Sequence, residues 1–512
     1  MKVTRLKLTN LRALKTAEFQ FKPGFNLIVG VNGVGKTTVI DALAVCLAAV
    51  VKQANKLRSQ SESFSVSDIR LGSDSLTVEC GMHIGGAEFV YLVHKNHSSS
   101  LPQEKMAGMP REEVYVASEK SEFLGDVPPI ASGKEEEGRP LGVAFFTRRA
   151  VTFKGAATKG ASAGGIVTAY HDALSNRELR LEEFAHWMRV QNELKSERPA
   201  IPRILDSFQN AVRRFLPGYS GIDVNDSDDP ELIISCGESK TLYVEELPDQ
   251  DRSKVAEAMK WTDNRMALEW AGKVATKNRT VADEVKAYSA AKGEIIAQSL
   301  KRYLPAYTNL RTDSEGRRLI DREPFKLPVR QLSDGERGVL AIVLDLTRRL
   351  VQANPDMIDP AAQAEAVVLI DEIDLHLHPK WQRQIVQNLT ETFPKCQFIA
   401  TSHSPFVVQS LRPGALINLD SEGVQEYADK SIEDIVENVM GVPLPQKSLR
   451  FLRMMEVASE YYSVLNQASN SQGARLAKLK ELLDELSVAY SDDPAFVAYL
   501  EFQRGRELGA AQ

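Results

Sequence analysis

The chain of 512 residues has no run approaching the roughly 18 apolar residues that a membrane span needs. Its first residues, MKVTRLKLTNLRALKTAEF, alternate charged and apolar positions and contain no apolar signal-peptide core, so a cytoplasmic location without membrane contact is expected. Four cysteines are spread over the length without a CxxC pair, which argues against a zinc cluster and against a disulfide framework. Excess basic charge is also missing: the net charge is -6, so any contact with nucleic acid must use a local patch. Sustained heptads are absent too, which excludes a long coiled-coil arm.

What is present is an ordinary globular composition, 43% hydrophobic and 26% charged, in a chain long enough for two or three domains. The segment AEFQFKPGFNLIVG reads as strand, turn and buried strand leading into GVNGVGKTT at 30–38, and VIDALAVCLAAVV then has helical spacing. Residues 75–95 predict a hairpin around Gly85-Gly86. Residues 98–140, rich in Ser, Pro, Gly and Glu, predict an exposed loop. Helical spacing returns over 172–216, where Ser175 with Glu178 fits a capping box; strands are expected over 219–246 and helices over 250–303. AEAVVLIDE and CQFIATSHSP read as buried strands, and three helices are expected after residue 429. Strands alternating with helices predict an α/β fold with a parallel sheet covered on both faces.

Two stretches of sequence occur twice. FLPGYSGIDVNDSD at 215 resembles YLPAYTNLRTDSEG at 303, and LYVEELPDQDR at 242 resembles LPVRQLSDGER at 327, offset by 85 to 88 residues. Duplication and coincidence both remain open at this level. In the first copy Pro248 and Gln250 stand where the second has Ser333 and Gly335.

The chemistry is concentrated in four motifs. Gly30, Gly35, Lys36 and Thr37 satisfy GxxxxGK[ST] between strand and helix: backbone N–H groups cradle phosphates, Lys36 reaches the outer ones and Thr37 offers a hydroxyl to Mg²⁺. In VVLIDE, Asp371 stands where a carboxylate supports the metal and Glu372 where one activates water. His403 in TSHSP follows the next strand and emerges at the same sheet edge, placed to read a γ-phosphate. LSDGER offers the Ser333 hydroxyl, the close approach of Gly335 and a helix N-terminus, a phosphate surface without its own lysine. His376 and His378 in DLHLHP lack a third ligand and read as part of a structural loop.

In this order the motifs resemble the Walker A, signature, Walker B and switch-histidine motifs of ABC-type ATPases, and the N-terminal LTNLRALKTAEFQFKPGFNLIVGVNGVGKT resembles the SMC, RecF and OLD branch. The resemblance covers about residues 1–95 and 320–420. It implies a head with a parallel sheet and an antiparallel β subdomain, ATP and Mg²⁺ as cofactors, and two heads sandwiching two nucleotides. Carried over by position, Asn32, Gly33, Gly35, Lys36, Thr37, Thr38 and Asp374 would bind nucleotide. Thr37 and Asp371 would hold metal, Glu372 and His403 would be catalytic, and Ser333, Gly335 and Glu336 would act on the partner's nucleotide. Arg12 matches a basic residue that approaches the nucleotide in some members.

The implied organisation is a head half at 1–95, an insertion at 96–319, a second head half at 320–428 and a helical extension at 429–512 for partner binding. DEIDLHLHP, TSHSP and SIEDIVENVMGVPLPQKS resemble the PtuA family of Septu-type and retron-associated antiphage systems, in which an ATPase works with a small HNH nuclease, PtuB. That implies a regulatory ATPase, not itself a nuclease. It would form head-to-head dimers within a homo-oligomer and bind an HNH partner through the insertion or the C-terminal helices, with DNA met mainly through that partner. The alternatives are a RecF-like repair ATPase that binds DNA directly and an ATP-binding scaffold with little turnover.

Overall fold

The computed structural model describes residues 1–31, 33–55, 63–98, 116–124, 138–147, 151–152, 165–197, 201–273, 281–420, 430–442, 445, 447–466 and 473–487. The chain divides into two compact units, Met1–Ala428 and Asp429–Gln512.

Two five-stranded sheets build the core of the first unit. One is antiparallel, in the order β2-β1-β4-β5-β6, from β1 (Lys2–Leu11), β2 (Leu14–Gln20), β4 (Ser75–Ile84), β5 (Ala87–Ser98) and β6 (Val116–Leu124). The expected exposed loop over 98–140 is corrected here: its middle is β6, which pairs with β5 from Val90↔Leu124 to Ser98↔Val116. Its few apolar residues stand in a polar, Glu-rich stretch without the alternation that marks a half-buried strand. Phe123 packs on Tyr91, with ring centroids 4.8 Å apart.

The second sheet is parallel throughout, in the order β18-β3-β17-β16-β7. Its strands are β3 (Phe25–Val29), β7 (Leu141–Phe145), β16 (Ala366–Ile370), β17 (Gln397–Thr401) and β18 (Leu416–Asn418). FNLIV, LGVAF, AVVLI and QFIAT are buried at every position, as continuous apolar runs covered on both faces must be. The buried amides among them are satisfied. Gln397 accepts from Val3 N (2.7 Å) and donates to Val3 O (2.8 Å), tying the parallel sheet to β1. All five strands end at one edge, the edge where parallel α/β sheets place their ligands.

Helix α1 (Lys36–Asn55) leaves the loop after β3 and carries buried Val39, Ile40, Leu43 and Leu47. α2 (Ile166–Tyr170) and α3 (Leu181–Glu193) follow; α3 starts at Leu181, so the expected capping box at Ser175 is corrected. The Ser175 hydroxyl instead donates to Asp172 O (3.1 Å) in a turn. A two-residue parallel pair, β8 (Val151–Thr152) with β9 (Leu179–Arg180), precedes α3.

Next come α4 (Ile201–Phe215), β10 (Tyr219–Val224), β11 (Leu232–Cys236), β12 (Lys240–Tyr243), α5 (Asp249–Lys273), α6 (Val281–Tyr303), β13 (Tyr307–Thr312), β14 (Arg318–Arg322), β15 (Phe325–Pro328) and α7 (Asp334–Ala353). They make two small sheets, β10-β11-β15 and β12-β14-β13. Residues 240–322 therefore form a nested lobe between β11 and β15, with its own core of Val244, Leu247, Val255, Leu300, Leu304, Tyr307 and Ile320. Its helices α5 and α6 pack against each other.

The second unit contains the helices Ile432–Asn438, Leu449–Asn466 and Gly473–Ser487 among the described residues. The last two pack through Phe451, Met454, Val457, Ala458 and Leu483.

Candidate nucleotide site

The loop between β3 and α1 is shaped by glycine where no other residue fits easily. Gly35 has φ +114°, and a Cβ there would meet the Leu14 side chain at 3.1 Å. Gly33 has φ +83°. Asn32 lies outside the described residues. The ammonium of Lys36 donates to Gly30 O (2.7 Å) and Val31 O (2.9 Å), folding over the loop it serves. Burial lowers its pKa, while Asp420, Asp371 and Glu372 favour the charged form. Thr38 is buried behind it.

Thr37 faces the end of β16. Its hydroxyl donates to Asp371 Oδ2 (3.1 Å), joining two residues 334 positions apart. Asp371 is 2% exposed, and its other oxygen accepts from Thr401 Oγ1 (2.6 Å). Two hard oxygen donors already in contact suit Mg²⁺, which takes a hydroxyl and a carboxylate and keeps its remaining ligands for phosphate and water. Glu372 is half-buried and has φ +49°, a strained conformation for a side chain with a Cβ. Its N–H donates to Thr401 Oγ1 (2.7 Å). Thr401 therefore holds both acids, and the sequence reading passed over it because it sits inside the strand rather than after it.

His403 follows β17 with an exposed imidazole, at the same sheet edge. Beside it the Ser404 hydroxyl caps the short helix Pro405–Gln409 and donates to Gln382 Oε1 (2.6 Å). A second residue missed by sequence reading is Asp420, which follows β18 and accepts from Val31 N (2.6 Å). The signal was an apolar strand, ALINLD, ending in an acid, the pattern used to find Asp371. Arg12, at φ +49° in the β1–β2 turn, is held by ion pairs to Asp41 on α1 and to Asp68. Burial opposes the Asp68 charge, yet the bonds from Arg12 and Ser65 carry its pKa below the usual carboxylate value.

The signature segment is built as a helix cap. Ser333 N and Oγ both donate to Glu336 Oε2 (3.0 and 2.7 Å), and Glu336 N returns a bond to Ser333 Oγ (3.3 Å). Ser333 is exposed, whereas Gly335 is buried against the loop that follows Glu372. A Cβ on Gly335 would lie 2.4 Å from His376 O, so only glycine allows α7 to rest there. That loop is tight: Leu375 N donates to Glu372 O and Leu377 N to Asp374 O (both 3.0 Å), and His376 has φ +61°. Asp374 Oδ1 is buried without a hydrogen-bond partner among the described residues. His378 Nδ1 accepts from Lys380 N (3.2 Å) at the start of the next helix, consistent with a structural role.

Lys36, Thr37, Asp371, Glu372 and Thr401 are thus brought together by the parallel sheet, and Ser333, Gly335 and Glu336 are joined to them through the 372–378 loop.

Comparison with known proteins gives two family-model matches, "AAA domain, putative AbiEii toxin, Type IV TA system" at residues 250–409 and "AAA domain" at residues 5–123. Among curated relatives, "Retron Ec83 probable ATPase" of Escherichia coli is 24% identical over 80% of this chain and 70% of its own length. "Retron Vc95 probable ATPase" of Vibrio cholerae serotype O1 biovar El Tor is 26% identical over 75% of this chain and 66% of its own. "Septu protein PtuA" of Bacillus mycoides is 33% identical over 30% of this chain and 22% of its own. The chain therefore spans about two thirds of the length of the two retron proteins and less than a quarter of the Septu protein.

Proposed function

We propose, from the premise that this chain is an ABC-type ATPase related to the retron ATPases and Septu PtuA, that it binds and hydrolyses ATP and uses the bound nucleotide to pair two heads. The observation that carries the reading is the contact of Thr37 with Asp371, beside Lys36 and Glu372, at the carboxyl edge of one parallel sheet. Thr37 and Asp371 would hold Mg²⁺, which supplies charge neutralisation at the β and γ phosphates when bound. The N-terminus of α1 and Lys36 bind the phosphates, with Lys36 giving up its two loop carbonyls to do so. Glu372 accepts a proton from the attacking water, and its backbone bond to Thr401 fixes where the carboxylate starts. His403, exposed and free of protein partners among the described residues, donates to the γ-phosphate.

The exposed Ser333 at the N-terminus of α7 faces outward from its own chain, which suits completing a nucleotide held by a second copy. Arg12 and Asp374 belong to the same nucleotide surface. The paired head then regulates a separate HNH nuclease in antiphage defence, bound through the insertion or the helices after residue 429. This takes place in the cytoplasm, and DNA is met mainly through the nuclease.

Lys36→Ala is expected to abolish ATP binding, and Glu372→Gln to retain ATP while turnover falls by about 10²-fold or more, measured by equilibrium binding and phosphate release. Normal affinity in the first variant, or normal turnover in the second, contradicts the assignment. Purification of the Glu372→Gln chain from its host with ATP and Mg²⁺ is expected to bring down a small HNH nuclease in stoichiometric amount; recovery of DNA alone contradicts the regulatory reading.

A further inference from the structure

The two repeated stretches of sequence fold alike, element by element. α4-β10-β11-β12, a 3₁₀ turn (Val244–Glu246) and α5 are followed by α6-β13-β14-β15, a 3₁₀ turn (Val329–Gln331) and α7, in the same order. Both first helices end at a Leu-Pro: Leu216 N bonds Val212 O and Leu304 N bonds Leu300 O (2.8 and 2.7 Å). Tyr219 N then bonds Leu216 O, as Tyr307 N bonds Leu304 O (3.0 and 2.9 Å).

The strand pairing is crossed. β15, the last strand of the second copy, pairs with β11 of the first, and β12, the last strand of the first, pairs with β14 of the second. The registers correspond: Ile234↔Leu327 and Ile233↔Pro328 in one sheet match Ile320↔Leu242 and Leu319↔Tyr243 in the other. The helices follow, α7 packing on α4 and α5 on α6.

Buried positions correspond as well. Val244, Leu247, Val255, Leu300, Leu304 and Ile320 fill the nested lobe, and their counterparts Val329, Leu332, Leu340, Val212, Leu216 and Ile234 are all buried in the other. Six matched core positions in matched registers go beyond the chance recurrence of a helix followed by Leu-Pro.

One polar pair is also repeated across the exchange. The Tyr307 hydroxyl donates to Asp251 Oδ2 (2.9 Å), and by the matched registers its counterpart Tyr219 stands beside Glu336, the residue corresponding to Asp251, whose charge adds to burial in raising the Tyr219 pKa. Glu336 is the acid that also takes both donors of Ser333. In the nested lobe the corresponding turn has Pro248 for Ser333 and an exposed Gln250 for Gly335, so the hydroxyl and the close approach are gone while the tyrosine clasp remains.

We infer that LSDGER is the working copy of a duplicated helix–strand–helix unit whose copies have exchanged their last strand and helix, and that Tyr219 is the positioning residue that sets Ser333 through Glu336. Tyr307 is its counterpart in a copy that has lost the phosphate chemistry. The part concerning Ser333 rests on the pairing reading above.

Tyr219→Phe and Tyr307→Phe in the full chain separate position from structure, because each removes one equivalent hydroxyl. Both are expected to lower the melting temperature by similar amounts. Only Tyr219→Phe is expected to lower kcat for ATP, several-fold and with little change in KM, because each chain's own phosphate loop binds the nucleotide and the motif acts on the copy's. Full kcat in Tyr219→Phe, or an equal loss in Tyr307→Phe, overturns the inference. A double-mutant cycle of Tyr219→Phe with Glu336→Ala, read by thermal unfolding without nucleotide, is expected to be non-additive; additivity overturns the link. If the wild-type chain neither pairs nor turns over ATP, the proposed function fails, while this cycle still decides the Tyr219–Glu336 contact.

Discussion

At the scale of single residues, two positions carry more than their side chains suggest. Thr401 gives its proton to buried Asp371 and accepts the N–H of Glu372. Thr401→Val keeps the shape but strands both partners, at a cost of about 1–3 kcal/mol in thermal unfolding. Because Asp371 and Glu372, the acids proposed to support the metal and activate water, lose a common anchor, turnover is expected to fall further than ATP affinity; an unchanged ratio of the two would remove Thr401 from the site. Gly335 tests a sign. Helix propensity alone would make Gly335→Ala stabilising by about 1 kcal/mol. The new Cβ would meet the carbonyl of His376 at 2.4 Å, a backbone atom that cannot swing aside, so the variant is expected to melt lower than the wild type. A higher melting temperature would mean that α7 does not rest on the 372–378 loop. The sequence motif announced that glycine, but for its approach to a phosphate; the contact within the chain was invisible without the fold.

At the scale of elements, the parallel strands and the phosphate loop were legible because continuous apolar runs bounded by glycine or acid have few other readings. β6 and β7 were not. β6 lies in a polar stretch whose strand character comes from pairing with β5, and β7 is a five-residue run that gains its place only beside β16. The repeat was legible as words and undecidable as structure, since sequence similarity does not reveal which strands pair. Its clasp has a pH signature. Burial, with Glu336 adding to it, pushes the Tyr219 pKa up to about 12, whereas an unfolded tyrosine titrates near 10. A hydroxyl held protonated in the folded state contributes stability that is complete below pH ~10 and is lost as the pH rises toward about 12. The stability difference between wild type and Tyr219→Phe is therefore expected to shrink across that window in alkaline unfolding; a constant difference would place the phenol outside the clasp.

At the scale of the whole molecule, the β10-β11-β15 sheet, the start of α7 and the 372–378 loop form one line of neighbours. Tyr219 stands beside Glu336, Glu336 holds Ser333, and Gly335 rests on the loop that begins at the strained Glu372. The motif proposed to meet a second copy is thereby tied to the acid that would act on its own chain's nucleotide, so under the proposed function pairing and hydrolysis are expected to rise and fall together. The most direct test is sedimentation of the Glu372→Gln chain with and without ATP and Mg²⁺, alongside the same chain carrying Ser333→Arg. The account predicts that ATP doubles the mass of the first and leaves the second unchanged. A mass indifferent to ATP in the first, or doubled in both, would contradict nucleotide-driven pairing through the signature motif.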